Sequence, residues 1–350
     1  MILGDPQAAC CPLPRGEQEV VLLGHGAGGR LSAELLAEVI TPRLGGQEVL
    51  EDAAVVPTGS AEVVVSTDSF VVTPRCFPGG DIGSLAVHGT VNDLAMRGAR
   101  PVALTLACIL EEGLPLAELA RITESVARAA REVGISVVSG DTKVVGRGAA
   151  DGVYLNTTGV GVRLPGLRPG ARGGRPGDVV LLSGPIGLHG TAVLNARADL
   201  GFEGELRSDS RPLHRLVAAM ARTRAHAVHS LRDPTRGGLA AALNELAAAS
   251  GVAVEIVEDD LPVPAPVAAF CELLGLDVLH VANEGCLVAF VSPEAADDLL
   301  AALRALPEGA QARVVGRVLP GPAGLVTART TVGSARVVDL PLGEQLPRIC

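Results

Sequence analysis

The stretch PGGDIGSLAVHGTVNDLAMRGARP, residues 78–101, decides how this chain folds. Its spacing predicts a helix over Asp81–Arg97, stopped by Gly98. At about 100° per residue, Asp93 completes three turns from Ile82 and shares a face with Ile82, Ala86 and Gly89. That helix is apolar almost all round, which predicts burial. A buried carboxylate without a partner is costly or takes up a proton, so Asp93 requires a cation, either a metal or an Arg.

Two flanking strands carry a second signal. Glu62–Val65 runs into Ser66-Thr67-Asp68, and Ile135–Val138 runs into Ser139-Gly140-Asp141-Thr142-Lys143. Each reads as a buried-type strand with an Asp at its carboxyl end, where ligands of α/β sheets sit. An Asx turn or a helix cap would account for either Asp alone. Asp52 opens a further apolar run. Upstream, Gly24, Gly26 and Gly29 satisfy G-x-G-x-x-G between a strand at Val20–Leu23 and a helix at Leu31–Ile40. A turn at residues 41–47 follows, not a second strand ending in an acid. The segment, with Gly26, Gly28 and Gly29, reads as an anion loop rather than a dinucleotide site. Carboxylates at 52, 68, 93 and 141 with such glycines point to Mg²⁺ bridging a polyphosphate, and Lys143 lies in reach of the same phosphate.

The organisation is α+β in two cycles. We expect an N-terminal arm with the Gly-rich loop (1–45), a first domain (46–163), a Gly/Pro/Arg linker (164–177), a second α+β domain (178–319) and a C-terminal segment with a mobile tail (320–350). In the second domain, Asp233-Pro234-Thr235-Arg236-Gly237-Gly238 opens a helix from Arg236 and forms an anion site, or simply starts the helix. Asn283-Glu284-Gly285 lies between apolar strands.

Composition removes several classes. The 350 residues carry a net charge of −10 and 2% aromatics, which excludes a nucleic-acid partner. No run of about 18 apolar residues exists to span a membrane. The seven Cys are irregularly spaced without CxxC, and no signal-peptide pattern opens the chain, so a reducing cytoplasm is expected. Lys143 is the sole lysine among 29 basic residues. Cys350 is the last residue, on an arm with Pro347 and polar neighbours.

These residues resemble the HypE family of hydrogenase maturation proteins, the carbamoyl dehydratases of nickel–iron hydrogenase assembly. The matching stretches are HGAGGR (25–30), TDSFVV (67–72), the 78–101 segment, SGDTKVV (139–145), LNTTGVG (155–161), RDPTRGGLA (232–240), CELLGLD (271–277), ANEG (282–285) and LPRIC (346–350). They run through almost the whole chain in order. Glu51 stands where a second Asp is common, and the first 20 residues look individual. The resemblance implies a two-domain aminoimidazole ribonucleotide synthetase-like fold, with a homodimer through the N-terminal domains. It implies that HypF carbamoylates Cys350, that ATP with Mg²⁺ drives dehydration to a thiocyanate, and that cyanide passes to a HypC–HypD complex. Cys350, Lys143 and Glu284 would be catalytic. Gly26, Gly28, Gly29, Asp68, Asn92, Asp93, Asp141, Thr142 and Arg236 would bind ATP, and Asp52, Asp68, Asp93 and Asp141 the metal. A small-metabolite kinase of the same fold is the alternative, and it leaves Cys350 without a role.

The lone lysine yields a test. Lys143→Arg should keep the fold and accept the carbamoyl group, because charge is retained. Its dehydration rate should fall about 10²-fold, roughly 2.7 kcal/mol, because the planar guanidinium cannot replace a compact ammonium. Single-turnover mass spectrometry of the variant measures this, and a wild-type rate would remove Lys143 from the chemistry.

Overall fold

The computed structural model describes residues 30–35, 37–38, 51–58, 62–198, 200, 202, 205–340, 346 and 348–350. Gly26, Gly28 and Gly29 lie outside them, as does the strand expected before the loop. Of the helix expected after it, Arg30–Leu35 is described.

The first half is built on a five-stranded sheet. Its spatial order is Ala54–Pro57, Glu62–Phe70, Val153–Arg163, Ala99–Glu111, Ser136–Val145. All neighbours are antiparallel except the last pair, which is parallel and joined through the helix Leu116–Val133. The long apolar helix spans Ile82–Met96 and lies on this sheet. Asp81 caps it, its carboxylate accepting from Gly83 N at 2.8 Å and Ser84 N at 2.9 Å, while Ser84 Oγ accepts from Asp81 N at 3.1 Å. Helix contact with the strand Glu62–Phe70 is close: a Cβ at Gly89 would sit 3.0 Å from the Phe70 ring.

The second half is a seven-stranded sheet covered on both faces. Its order is Ala335–Val337, Val326–Arg329, Ala253–Val257, Arg313–Leu319, Val179–Leu182, Val288–Val291, Val228–Arg232. Alternation along a strand sends neighbours to opposite layers. Leu182 packs with Leu239 and Leu243 of the helix Gly238–Ser250, and Leu181 with Leu216 and Leu299 of the helices His214–Arg224 and Ala296–Arg304. Ala95 and Met96 belong to that second cluster, so the buried helix enters both halves. The expected linker is packed too: Leu167 is buried, and Arg97 Nη1 donates to Pro169 O at 2.8 Å.

Three expectations change. The strand at Ile135–Val138 extends through Asp141, Thr142 and Lys143 to Val145, and it is exposed rather than buried. Among the described residues it is the sheet's edge and no helix covers it; Val138 and Val144 are about two-thirds exposed. Asp68 stands two residues before its strand's end. The helix expected from Arg236 starts at Gly238, because Gly237 and Gly238 adopt φ of +74° and +63°. The short strands expected after the Gly/Pro stretch 320–324 form as Val326–Arg329 and Ala335–Val337 and join the second sheet.

The tail is docked. Val71 N donates to Cys350 O and Thr73 N to Arg348 O, each at 3.1 Å, while Leu346 and Ile349 are buried among Val267, Phe270 and Val281. Fully burying two such side chains contributes on the order of 2 kcal/mol each.

Asp81→Ala should cost about 1 kcal/mol through loss of the capping box, read as a lower urea midpoint at unchanged m-value.

Candidate active site

Local structure brings the acids together. Asp52 precedes the first strand, Asp93 faces out of the buried helix toward the strand bearing Asp68, and Asp233 follows the strand Val228–Arg232. Oxygens of Asp52, Asp93 and Asp233 lie within 4.8 Å of one another. Asp93 Oδ2 is 2.6 Å from Ser66 Oγ. Asp52 Oδ1 meets Arg232 Nε at 3.1 Å, and Arg232 also pairs with Glu245. Asp52 Oδ2 is buried without a hydrogen-bond partner.

These carboxylates are too close for comfort in the absence of a cation. Desolvation, then the charges of Asp233, Asp68 and Asp52, pushes the Asp93 pKa well up. Asp233 is raised to about 7 by desolvation and Asp52. Desolvation also raises Asp52 and Asp68, with Arg232 and Arg236 respectively opposing it. A cluster of oxygens only, one of them orphaned, suits a hard divalent cation such as Mg²⁺. Asp233 opens the segment expected as an anion site or a plain helix start and was not among the expected metal ligands; it stands at the carboxyl end of a strand, and that signal would have found it.

Beside the cluster lie the terminal residue and a glutamate. Arg236 feels the negative charge of Cys350 most strongly, then that of Asp68, Glu284 and Asp93. Glu284 is buried, its pKa pushed well up by desolvation and by Asp233, Asp209 and Asp68. The chain thus unites Asp52, Asp68, Asp93, Asp233, Glu284, Arg236 and Cys350.

Three expected site residues stand elsewhere. Asp141, Thr142 and Lys143 are on the exposed edge strand, and Ala107, Asn156 and Ser69 separate Asp141 from the Asp68 side in register. Lys143 Nζ contacts the Asp141 carboxylate at 2.6 and 2.8 Å, which holds that carboxyl below its usual range. Asn92 uses its amide structurally: Oδ1 accepts from Leu213 N at 2.8 Å, and Nδ2 donates to the carbonyls of Arg211 at 3.1 Å and Glu284 at 3.4 Å. It steadies the Glu284 backbone instead of reaching the acids.

Two family models match the chain in succession. AIR synthase related protein, N-terminal domain, covers residues 50–163, and AIR synthase related protein, C-terminal domain, covers 175–328. Fold and site therefore define a two-domain AIR synthase-related protein. Carbamoyl dehydratase HypE of Azotobacter vinelandii is 52% identical over 340 residues, 97% of this chain and 98% of that protein. A crystal structure of hydrogenase maturation protein HypE in complex with ATP matches at 43% identity and TM-score 0.80, covering 95% of this chain and all of that one. A HypE–HypF complex matches at 43% identity and TM-score 0.84, covering 88% and 99%. The chain belongs to the HypE family of carbamoyl dehydratases. Among the described residues no helix is long and apolar enough to cross a membrane.

A pH effect follows from the raised carboxyls. The folded state holds protons that the unfolded chain, with Asp near 3.8, releases earlier. This contribution is fully present below that value and is lost as pH rises through about 7. Metal-free protein should therefore lose stability over that window in denaturant titrations, and Mg²⁺ should restore it. Asp93→Asn should raise the metal-free Tm at neutral pH and abolish the Mg²⁺ effect.

Proposed function

We propose that this chain is an ATP-dependent carbamoyl dehydratase that converts an S-carbamoyl group on its own Cys350 to a thiocyanate, supplying cyanide for the iron of nickel–iron hydrogenase. One observation carries the reading: the chain's own terminal cysteine is seated beside Arg236, against the group that also holds Glu284 and the acids. A kinase of a free metabolite has no use for that arrangement.

The chemistry balances without redox change. The carbamoyl oxygen is a poor leaving group, so it attacks the γ-phosphorus of ATP, and ADP leaves. Loss of both N–H protons and of the phosphorylated oxygen as phosphate then forms C≡N on sulfur. Asp52, Asp68, Asp93 and Asp233 would hold Mg²⁺, which neutralises phosphate charge when bound. Arg236 orients the terminal residue and offsets the negative charge around it. Glu284 is the general-base candidate: its raised pKa makes its ionised form a stronger proton acceptor than an ordinary carboxylate, suited to taking an N–H proton. Burial of Leu346 and Ile349 closes the tail side of the site, which keeps water from the carbamoyl group.

Lys143, Asp141 and Thr142 enter this reading through a second subunit. They lie on an edge strand that also exposes Val138 and Val144, beside Ile109 of the neighbouring strand. A homodimer along that edge covers these side chains and brings the lysine and its acid toward the partner's phosphate site. The resemblance assigns Gly26, Gly28 and Gly29, which lie outside the described residues, to phosphate binding. The HypE–HypF complex supports HypF as the carbamoyl donor partner. HypC–HypD is the acceptor of the cyanide, and the cytoplasm is the compartment.

Cys350→Ala should fold and bind ATP yet gain no carbamoyl mass after incubation with the donor system. Carbamoylation of the variant at Cys76, the exposed thiol among the described residues, or at Cys10 or Cys11 would sink this assignment.

A further inference from the structure

The proposed chemistry leaves the segment 208–211, Ser208-Asp209-Ser210-Arg211, without a task. It runs between the docked tail and Glu284. On the tail side, Ser208 Oγ is 2.7 Å from His189 Nδ1, and His189 Nε2 is 2.6 Å from the carbonyl oxygen of Ile349. On the other side, the Asp209 carboxylate accepts from Glu284 N at 3.1 Å and Gly285 N at 2.9 Å. Arg211 Nε donates to Gly285 O at 2.8 Å. The backbones touch so closely that a Cβ at Gly285 would lie 1.8 Å from Asp209 O.

Donor and acceptor roles permit one arrangement. A carbonyl only accepts, so His189 Nε2 carries the proton and donates to Ile349 O. Nδ1 then accepts from the Ser208 hydroxyl, whose oxygen in turn accepts from Ser210 N at 3.1 Å. Burial lowers the His189 pKa and keeps the ring in this neutral form. Phe77 packs edge-on against the ring, with centroids 5.3 Å apart, and fixes its plane.

We infer that His189, Ser208 and Asp209 are positioning residues that couple docking of the terminal segment to the placement of Glu284. A seated Ile349 carbonyl orients His189, His189 orients Ser208, and Asp209 in the same segment holds the backbone of Glu284 and Gly285. The inference rests on the reaction proposed above, in which Glu284 takes a proton from the group on Cys350. It adds that the base is set in place when the tail arrives. Coupling is reciprocal, so disturbing the segment at Asp209, which makes no hydrogen bond to the described tail residues, must loosen the tail by the same factor.

The test uses the full-length chain with neither carbamoyl group nor ATP. Carboxypeptidase removal of Cys350, followed by intact mass, reports how often the tail leaves its seat. His189→Leu should speed removal roughly tenfold, and His189→Gln, whose amide can donate to Ile349 O, should restore most of the protection. Asp209→Asn, which sets an amide against one of the two N–H groups, should also speed removal. Ser208→Ala serves as a second probe should Asp209→Asn fail to give a cooperative melt. Removal at the wild-type rate in the folded segment variants would overturn the coupling, as would a His189→Gln protein that behaves like His189→Leu. Failure of carbamoylated wild-type protein to dehydrate would overturn the reaction instead, and the protease rates do not depend on it.

Discussion

Three carboxylates from three separate stretches, Asp52, Asp93 and Asp233, share a space 4.8 Å across. At the effective dielectric of a protein, each pair of ionised groups at that distance repels by about 3 kcal/mol. Arg232 offsets part of this at Asp52, and protonation offsets part at Asp93 and Asp233. The remainder is a standing demand for a cation, and the fold is arranged around it. One helix, buried on all sides and entering both halves, carries Asp93. The first sheet supplies Asp68 beside it, and the second half contributes Asp233 from the end of a strand. A local change in any of these elements alters the charge balance of the group.

The same crowding explains why the tail belongs here. Cys350 and Glu284 meet the acids through Arg236, which is pulled toward four negative groups at once. The terminal segment is held by backbone bonds to Val71 and Thr73 and by two buried apolar side chains. These contacts are sufficient to seat it and small enough to be broken, as a substrate that must visit other proteins requires. Arg348, at φ of +52°, turns the chain into this seat, with its guanidinium bonded to Asp151 and to Val71 O.

Much of this was legible in local pattern. The helix at Asp81–Arg97 was readable because it is apolar all round and ends at glycine; its two bounding residues are its caps. The helix Leu116–Val133 carries its signal locally too, with one face apolar and the other charged. Pairing across the sheet was not. Val137, Val138 and Val144 look like core residues in sequence, yet they lie on an uncovered edge. Lys143 and Asp141 therefore appeared to adjoin Asp68 and Asp93, when intervening strands stand between them. Asn92 was adjacent to a functional Asp in sequence but points to backbone carbonyls 119 and 192 residues away. The tail read as mobile because Pro347 and polar residues precede the end. Its docking depends on a pocket made by Val267, Phe270 and Val281, which no nearby residue announces.

The central claim is that the carbamoyl oxygen on Cys350 becomes a phosphate oxygen before it leaves. Protein carbamoylated with heavy-oxygen-labelled carbamoyl donor, then given unlabelled ATP, tests this in one turnover. The account predicts that the label appears in released inorganic phosphate as Cys350 becomes a thiocyanate. Label recovered in water, with phosphate unlabelled, would contradict it.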